Sequence, residues 1–278
     1  MDSPKLSIVI PNFNTPVDKV RRCIESIYTQ LTEELKPKVQ IVLVDSSDAY
    51  NILESISDFN GLKCVRSSTR LLLGVARNVG YANSDGEYLW FVDSDDWIAS
   101  GCLEKIVGKL NGDIDIFYAP FLTTSENKVK MYKPRSLGEF AMLATGHWNK
   151  IYKRDKFSAW PDFPIRDTAF HYLVLDKCQT FDSFDFVCYV YDNSPNNATA
   201  ISRTFDFLKK RPQSLINLAL DNTLENLKLR DEYVPGTIHN MAYMYENRNR
   251  IKNPEVKKAY LEKFIRQYQN FMSGFYTH

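Results

Sequence analysis

Three carboxylates within four positions close an apolar run in Tyr88-Leu-Trp-Phe-Val-Asp93-Ser-Asp95-Asp96-Trp97. The run is rich in aromatic and branched residues and reads as a buried strand. Such a strand carries paired acids only where something cationic meets them at its end. In open α/β sheets ligands gather at the carboxyl ends of the strands. Two carboxylates spaced as Asp93 and Asp95 suit one hard divalent cation, which in turn neutralises a diphosphate. The plainer alternative is an acidic turn that caps the following helix.

The elements that must position these acids alternate along the first half of the chain. Leu6–Ile10 is a strand closed by Pro11, and Val20, Ile24, Ile27 and Leu31 give the next segment helical spacing. A second buried strand, Gln40–Val44, ends at Asp45. A short strand near Lys63–Arg66 precedes a helix over Gly74–Asn83, and after the Tyr88–Val92 strand come a helix near Cys102–Leu110 and a strand at Ile114–Ala119. Strands separated by helices imply right-handed parallel crossovers and a doubly wound, mostly parallel sheet. From 125 to 202 the pattern is less regular, and beyond Arg203 the chain turns helical. Asn253 before Pro254 predicts an N-cap, followed by one apolar face at Val256, Tyr260, Leu261, Phe264, Ile265, Tyr268 and Phe271. That face is expected to pack on the body of the protein rather than on a partner.

With 278 residues, 44% hydrophobic and 25% charged, the chain is globular and large enough for one α/β core and an appended subdomain. No apolar stretch is long enough to span a bilayer, and the first apolar segment is a strand rather than a signal peptide. A cytoplasmic enzyme without stable membrane insertion is the expectation. Five scattered cysteines without C-x-x-C spacing predict reduced, structural thiols and no zinc site. The net charge of +1 hides an asymmetry of −4 over residues 1–202 and +5 over residues 203–278. A basic tail permits a polyanionic partner, although most such tails are solvated surface.

Four blocks, in order, resemble the family 2, GT-A-fold, inverting glycosyltransferases. They are Leu6-Ser-Ile-Val-Ile-Pro-Asn-Phe-Asn14, Ile41-Val-Leu-Val-Asp45-Ser-Ser, Gly74-Val-Ala-Arg77-Asn78-Val-Gly80 running to Asp85-Gly86-Glu87-Tyr88, and Phe91-Val-Asp93-Ser-Asp95-Asp96-Trp97. Together they cover roughly the first 110 residues, and the ordered set is far more specific than any one block. The resemblance implies a GT-A fold, Rossmann-like, with a C-terminal helical extension. It divides the chain into a nucleotide-sugar half (1–124), an acceptor half with the catalytic base (125–204) and the extension (205–278). It also implies a UDP-sugar donor, UDP-glucose first, and Mn²⁺ or Mg²⁺ as cofactor.

Residue by residue, the resemblance makes Asp95 a direct metal ligand, with Asp93 on the ribose or the metal's water shell. Pro11, Asn12, Asn14 and Ser94 line the donor. Asp45 accepts hydrogen bonds from uracil or ribose, with Ser46 where the family often has a second acid. Arg77 and Asn78, at the start of a helical segment, suit a diphosphate, unless Arg77 is only a salt bridge. Arg203, in Ala200-Ile-Ser-Arg203, closes over the diphosphate. An inverting transfer needs a general base opposite the leaving group. The family's base region matches Trp148-Asn-Lys150-Ile-Tyr-Lys-Arg154 and Phe163-Pro-Ile-Arg166-Asp167-Thr-Ala-Phe170, which makes Asp167 the base or else a helix cap. Trp148, Lys150, Arg166, Asp96 and His171 are the acceptor-side candidates. Asp96 otherwise caps the helix after Trp97, and His171 otherwise packs in the core.

Three function classes compete. Nucleotidyltransferases share the carboxylate-bound metal, but they carry a Gly-rich basic loop after the first strand, and Asn12-Phe-Asn-Thr15 is not one. A non-catalytic glycan- or nucleic-acid-binding relative is opposed by the intact acids. Among transferases, the compact form is similar to phage enzymes that add a second glucose to glucosylated hydroxymethylcytosine DNA. That likeness implies phosphate contacts by Lys209, Lys210, Arg211, Arg248, Arg250 and Lys252 on a glucosylated duplex. The alternative acceptor is a bacterial surface glycan or another saccharide.

Overall fold

The computed structural model describes residues 3–143, 146–157, 159–160, 167–193, 244 and 247–273, with backbone alone at 142–143, 167–170, 267–268 and 270–273. Strand β1 (Leu6–Asn12) is buried along its whole length, and β2 (Val39–Asp45) nearly so. Both pair in parallel, with β3 (Lys63–Arg66) and β4 (Tyr88–Phe91) flanking them. Side chains alternate across the pleat, as a period of two requires. Ile8, Ile10, Ile41, Leu43 and Trp90 enter one apolar layer, whereas Val9, Val42, Val44, Leu89 and Phe91 enter the other.

Helices cover both layers. Helix α1 (Val17–Tyr28) buries Val20, Cys23, Ile24 and Ile27 at i, i+3, i+4 and i+7. Helix α3 (Leu73–Ala82), which follows the one-turn α2 (Ile52–Ser55), lies on the opposite face. It approaches β1 so closely that a Cβ at Gly80 would stand 2.1 Å from the Val9 methyl, so only glycine fits there.

The large sheet has seven strands in the order β10-β6-β9-β4-β1-β2-β3, completed by β6 (Ile116–Tyr118), β9 (Lys150–Lys153) and β10 (Phe181–Ser183). Only β9 is antiparallel, wedged between β4 and β6. A second sheet, β5-β11-β7-β8, is built from β5 (Trp97–Ile98), β7 (Phe121–Thr123), β8 (Lys128–Lys130) and β11 (Tyr189–Tyr191). Sequence periodicity had suggested neither β9 nor this second sheet.

Helix α4 (Leu103–Lys109) matches its predicted position. Helices α5 (Leu137–Leu143), α6 (Asp167–Leu175) and α7 (Pro254–Ser273) pack together over the second layer. The Asn253 side chain accepts hydrogen bonds from the amides of Glu255 (3.0 Å) and Val256 (3.2 Å), which makes it the expected N-cap. Val256 and Tyr260 are buried against the core while Ile265 is half exposed, so the apolar face packs on the body along its first turns. All five cysteines are free, four of them buried. No helix among the described residues is long and apolar enough to cross a membrane.

Candidate active site

The carboxyl ends of β1, β2 and β4 lie side by side and bring Asn12, Asp45 and the Asp93–Asp96 turn together. The three acids of that turn meet different fates. Asp93 Oδ1 lies 3.2 Å from Nη2 of Arg77, a guanidinium wholly buried beside the Trp160 ring. Asp96 is 1% exposed. Its Oδ2 accepts a 2.6 Å hydrogen bond from the Tyr189 hydroxyl and its Oδ1 a 2.7 Å bond from the Asp192 amide. Asp95 is half-buried, and its carboxylate enters no salt bridge among the described residues, although Lys19, Arg22 and Asp192 lie close enough to act on it. Burial raises the carboxyl pKa of Asp95, and Asp192 adds to the effect while Lys19 and Arg22 oppose it. Burial pushes that of Asp96 well up, and its neighbours Asp93 and Asp95 push it further.

Helix α1 braces this turn from below. Arg22 Nη2 donates to the Asp95 carbonyl (2.8 Å) and to Asp192 Oδ2 (3.0 Å), with its guanidinium 4.0 Å above the Trp97 ring. Lys19 joins it on Asp192 at 3.3 Å. Ser94 meets Thr15 hydroxyl to hydroxyl at 2.8 Å, which ties the turn to the loop after β1. Sequence reasoning missed Arg22, Tyr189 and Asp192. The last two carried a readable signal, because Tyr-Val-Tyr-Asp192 repeats the pattern of an apolar strand ending in an acid.

The residues expected to bind the donor are engaged within the fold to different degrees. Asp45 is fully buried and accepts from Asn12 Nδ2 (2.8 Å), Ser47 Oγ (2.6 Å) and the Arg66 guanidinium, so it has no exposed oxygen to offer uracil or ribose. Arg77 and Asn78 do not start their helix but sit a turn inside α3. Arg77 clamps Asp93, and Asn78 exchanges two hydrogen bonds with the Trp160 backbone at 2.8 and 2.7 Å. Asn12 directs its side-chain NH2 to Asp45, Ser47 and Tyr50, while its Oδ1 is buried without a hydrogen-bond partner and the residue lines the cleft at the end of β1. Asn14, at φ 52°, folds its side chain back to accept from the amides of Asp48 and Ala49. Pro11 and Ser46 do line a cleft of about 180 Å³, beside which Arg70 stacks 4.6 Å over the Phe13 ring.

Acceptor-side assignments change as well. Asp96, held as described, faces Tyr189 and Asp192 rather than open space. Lys150 is wholly buried and donates to the Gly146 carbonyl and to Asn149 Oδ1. His171 is wholly buried among Phe140, His147 and Tyr172, with neither ring nitrogen hydrogen-bonded. Burial drives its pKa well down, and the positive charge of Lys150 beside it adds to the effect. It packs as a core histidine. Trp148 is half-buried, stacked on Tyr189 and Tyr191 and edge-on to Phe121. Asp167 is the first residue of α6, but its side chain, Arg166 and Arg203 lie outside the described residues.

Among the described residues no group of three or more His, Cys, Asp and Glu forms a cage for a metal. Two hard carboxylates at a strand end nevertheless fit Mg²⁺ or Mn²⁺, which are commonly held by one or two carboxylates together with substrate phosphates.

Comparison with known proteins bears on the family and the fold. The chain is 28% identical over 152 residues to glycosyltransferase GlyA of Streptococcus pneumoniae, covering 53% of this chain and 20% of GlyA. It is 30% identical over 104 residues to the poly(ribitol-phosphate) beta-N-acetylglucosaminyltransferase TarP of Staphylococcus aureus, covering 37% of this chain and 32% of TarP. The chain thus spans a third or less of either relative. The crystal structure of S. aureus TarS 1-349 in complex with UDP-GlcNAc superposes with a TM-score of 0.61 at 17% identity, over 95% of this chain and 81% of that one, and so shares its fold. The model of "Glycosyl transferase family 2" matches residues 7–177. That span is more than half of the sequence, and the chain belongs to this family.

Proposed function

We propose that the chain is an inverting, UDP-sugar-dependent hexosyltransferase whose acceptor is a hydroxyl on a glycan or glycopolymer. The observation that carries the reading is the unequal fastening of the three acids. Asp93 and Asp96 are pinned, and Asp95 is left at the end of β4, one strand over from the cleft at the end of β1. That cleft is the size of a single ring rather than a whole nucleotide-sugar, and the Phe13–Arg70 stack offers a planar neighbour for a base. Asp95, with Asp93 oriented by Arg77, would hold Mn²⁺ or Mg²⁺, which when bound neutralises charge on the departing diphosphate. Asp167, at the start of α6, takes the proton of the acceptor hydroxyl as that oxygen attacks the anomeric carbon. Arg203, outside the described residues, is assigned to the diphosphate on the resemblance alone.

Bacterial surface glycopolymer is the acceptor class supported by the TarP likeness. Glucosylated duplex DNA is the second reading, favoured by the +5 charge of residues 203–278. Of its six basic residues, Lys209, Lys210 and Arg211 lie outside the described residues. Arg248 is half-buried, and Arg250 and Lys252 are exposed. The test is UDP release from UDP-glucose and UDP-GlcNAc with Mn²⁺, against poly(ribitol phosphate), free saccharides and glucosylated DNA, with the product anomer read by NMR. Acceptor-dependent UDP release with inverted configuration is expected. Failure to cleave any UDP-sugar, or a retained anomer, would overturn the proposal.

A further inference from the structure

The β7–β8 hairpin carries chemistry that the transfer itself does not use. Lys128, Lys130, Lys133 and Arg135 stand within eight residues, with no acid between Lys128 and Arg135 and Glu126 and Glu139 flanking them. Arg135 is taken up by Glu139 at 2.7 Å, whereas the three lysines enter no salt bridge among the described residues. Lys128 and Lys133 are exposed and Lys130 is half-buried. Strand β8 is also the edge of the second sheet, paired to β7 on one side only.

Register places these cations on the active-site side of the molecule. Lys130 is opposite Phe121 and Lys128 opposite Thr123. On the next strand Tyr189 is opposite Phe121 and Tyr191 opposite Thr123. Residues in register share a face, so Lys128 and Lys130 project with Phe121, Tyr189 and Tyr191. Trp148 covers the same face, parallel to Tyr191 (4°) at 5.0 Å and edge-on to Phe121 at 4.6 Å. The sheet then continues through β11 to β5, which follows directly on Asp96. From β5 to β8 is three strand spacings, about 14 Å. A row of aromatic rings therefore leads from the carboxylate turn to a row of unpaired cations.

We infer that the β8 edge is the track for the acceptor chain, and that the acceptor is a flexible phosphodiester-linked glycopolymer. This rests on the proposed transferase reading and names its substrate class. A single row of cations on one strand edge suits one phosphate-bearing chain. A DNA duplex presents two phosphate rows across a groove about 12 Å wide and needs a broader basic surface. A membrane fits worse still. Val129, the exposed apolar residue of β8, alternates with Lys128 and Lys130 and, opposite Leu122, projects from the other face. A bilayer contact needs apolar and basic groups on one side.

The test uses the full chain and a Lys128→Ser/Lys130→Ser/Lys133→Ser variant, with poly(ribitol phosphate) as probe. Binding is titrated over a range of salt without donor present. Dextran, glucosylated duplex DNA and phosphatidylglycerol vesicles are the comparison arms. Wild type should bind poly(ribitol phosphate) with strong salt dependence and should ignore dextran. The variant should bind roughly tenfold or more weakly at low salt. Its log–log salt slope should be flatter by about two, since each single-chain phosphate contact contributes about 0.7. The matching triple Lys→Arg variant should bind as wild type does. Equal binding by the serine variant would overturn the inference, as would dextran held as tightly, or DNA or vesicles preferred through these lysines. UDP binding and UDP-sugar hydrolysis are measured on the same preparations and should be the same in all of them. Their absence from wild type would sink the transferase reading, while the polymer titration would still decide this one.

Discussion

The two sheets grip opposite ends of the same four-residue turn, and they do it by different means. On the large-sheet side, Asp93 is met by Arg77, a buried cation delivered by a long helix and boxed by Trp160. On the small-sheet side, Asp96 is met by a hydroxyl and a backbone amide, both neutral, and its carboxyl pKa is driven well up. One end of the turn is thus a fixed ion pair and the other a hydrogen-bonded acid that favours its proton. Asp95, between them, is fastened to neither. Of three similar residues, the one left uncommitted is the one a cation can claim.

The sharpest way to break this comparison is at Asp95. Asp95→Ala should lower transfer on the order of a thousandfold or more and weaken UDP binding chiefly when Mn²⁺ is present, with melting temperature little changed. Unchanged turnover, or full activity in EDTA, would remove Asp95 from its role. Asp167→Asn should leave UDP affinity intact while transfer falls by roughly 10²–10⁴. Turnover and UDP binding measured together decide it, and near-normal turnover would move the base elsewhere.

Next in size are the two fastenings themselves. Arg77→Met removes the buried partner of a carboxylate that is 26% exposed, and should cost about 2–3 kcal/mol by chemical denaturation. Tyr189→Phe removes one neutral hydrogen bond and should cost about 1–2 kcal/mol. A larger loss for Tyr189→Phe than for Arg77→Met would invert the comparison.

The smallest effects lie in the pH dependence, where signs matter more than sizes. His171 has a lowered folded pKa, so below about pH 6.5 the unfolded chain binds the extra proton and stability falls as pH falls. His171→Phe should flatten that acid-side loss by up to about 1.4 kcal/mol per pH unit. Asp96 has a raised folded pKa, so its contribution is complete below about pH 4 and is lost as pH rises through the folded value. Asp96→Asn should flatten that opposite slope. Denaturant midpoints from pH 4 to 8 read both, and slopes of the same sign in wild type minus each variant would contradict the assignment.

Legibility in the sequence followed the same divide. Strands β1, β2 and β4 announce themselves as apolar runs closed by Pro11, Asp45 and Asp93, and α1 and α7 by helical spacing and an Asn253 cap. Strand β9 is hidden in the sequence because Lys150-Ile-Tyr-Lys153 begins and ends in charge, yet Lys150, Ile151 and Tyr152 are all buried between β4 and β6. The small sheet consists of strands of two or three residues, too short for any period to emerge. In the candidate site, residue type and spacing marked the acid cluster but not which side chains hold each acid. Asn12, Asp45, Arg77 and Asn78 are expected to face ligand, and the fold also engages them internally: Asn12 with Asp45, Arg77 with Asp93 and Asn78 with the Trp160 backbone. Such pairings join residues up to 82 positions apart and leave no local trace.

That β4 and β5 belong to different sheets, with the carboxylate turn as the splice between them, has a thermodynamic consequence. On the proposed reading, a cation that bridges Asp95 to a diphosphate would act on the turn that leads into β5, which pairs with β11 and through it with β7. If the proposed donor and acceptor sites are both right, they share one mechanical element, and linkage makes their influence mutual. Whatever factor the nucleotide-sugar applies to acceptor affinity, the acceptor must return to the nucleotide-sugar.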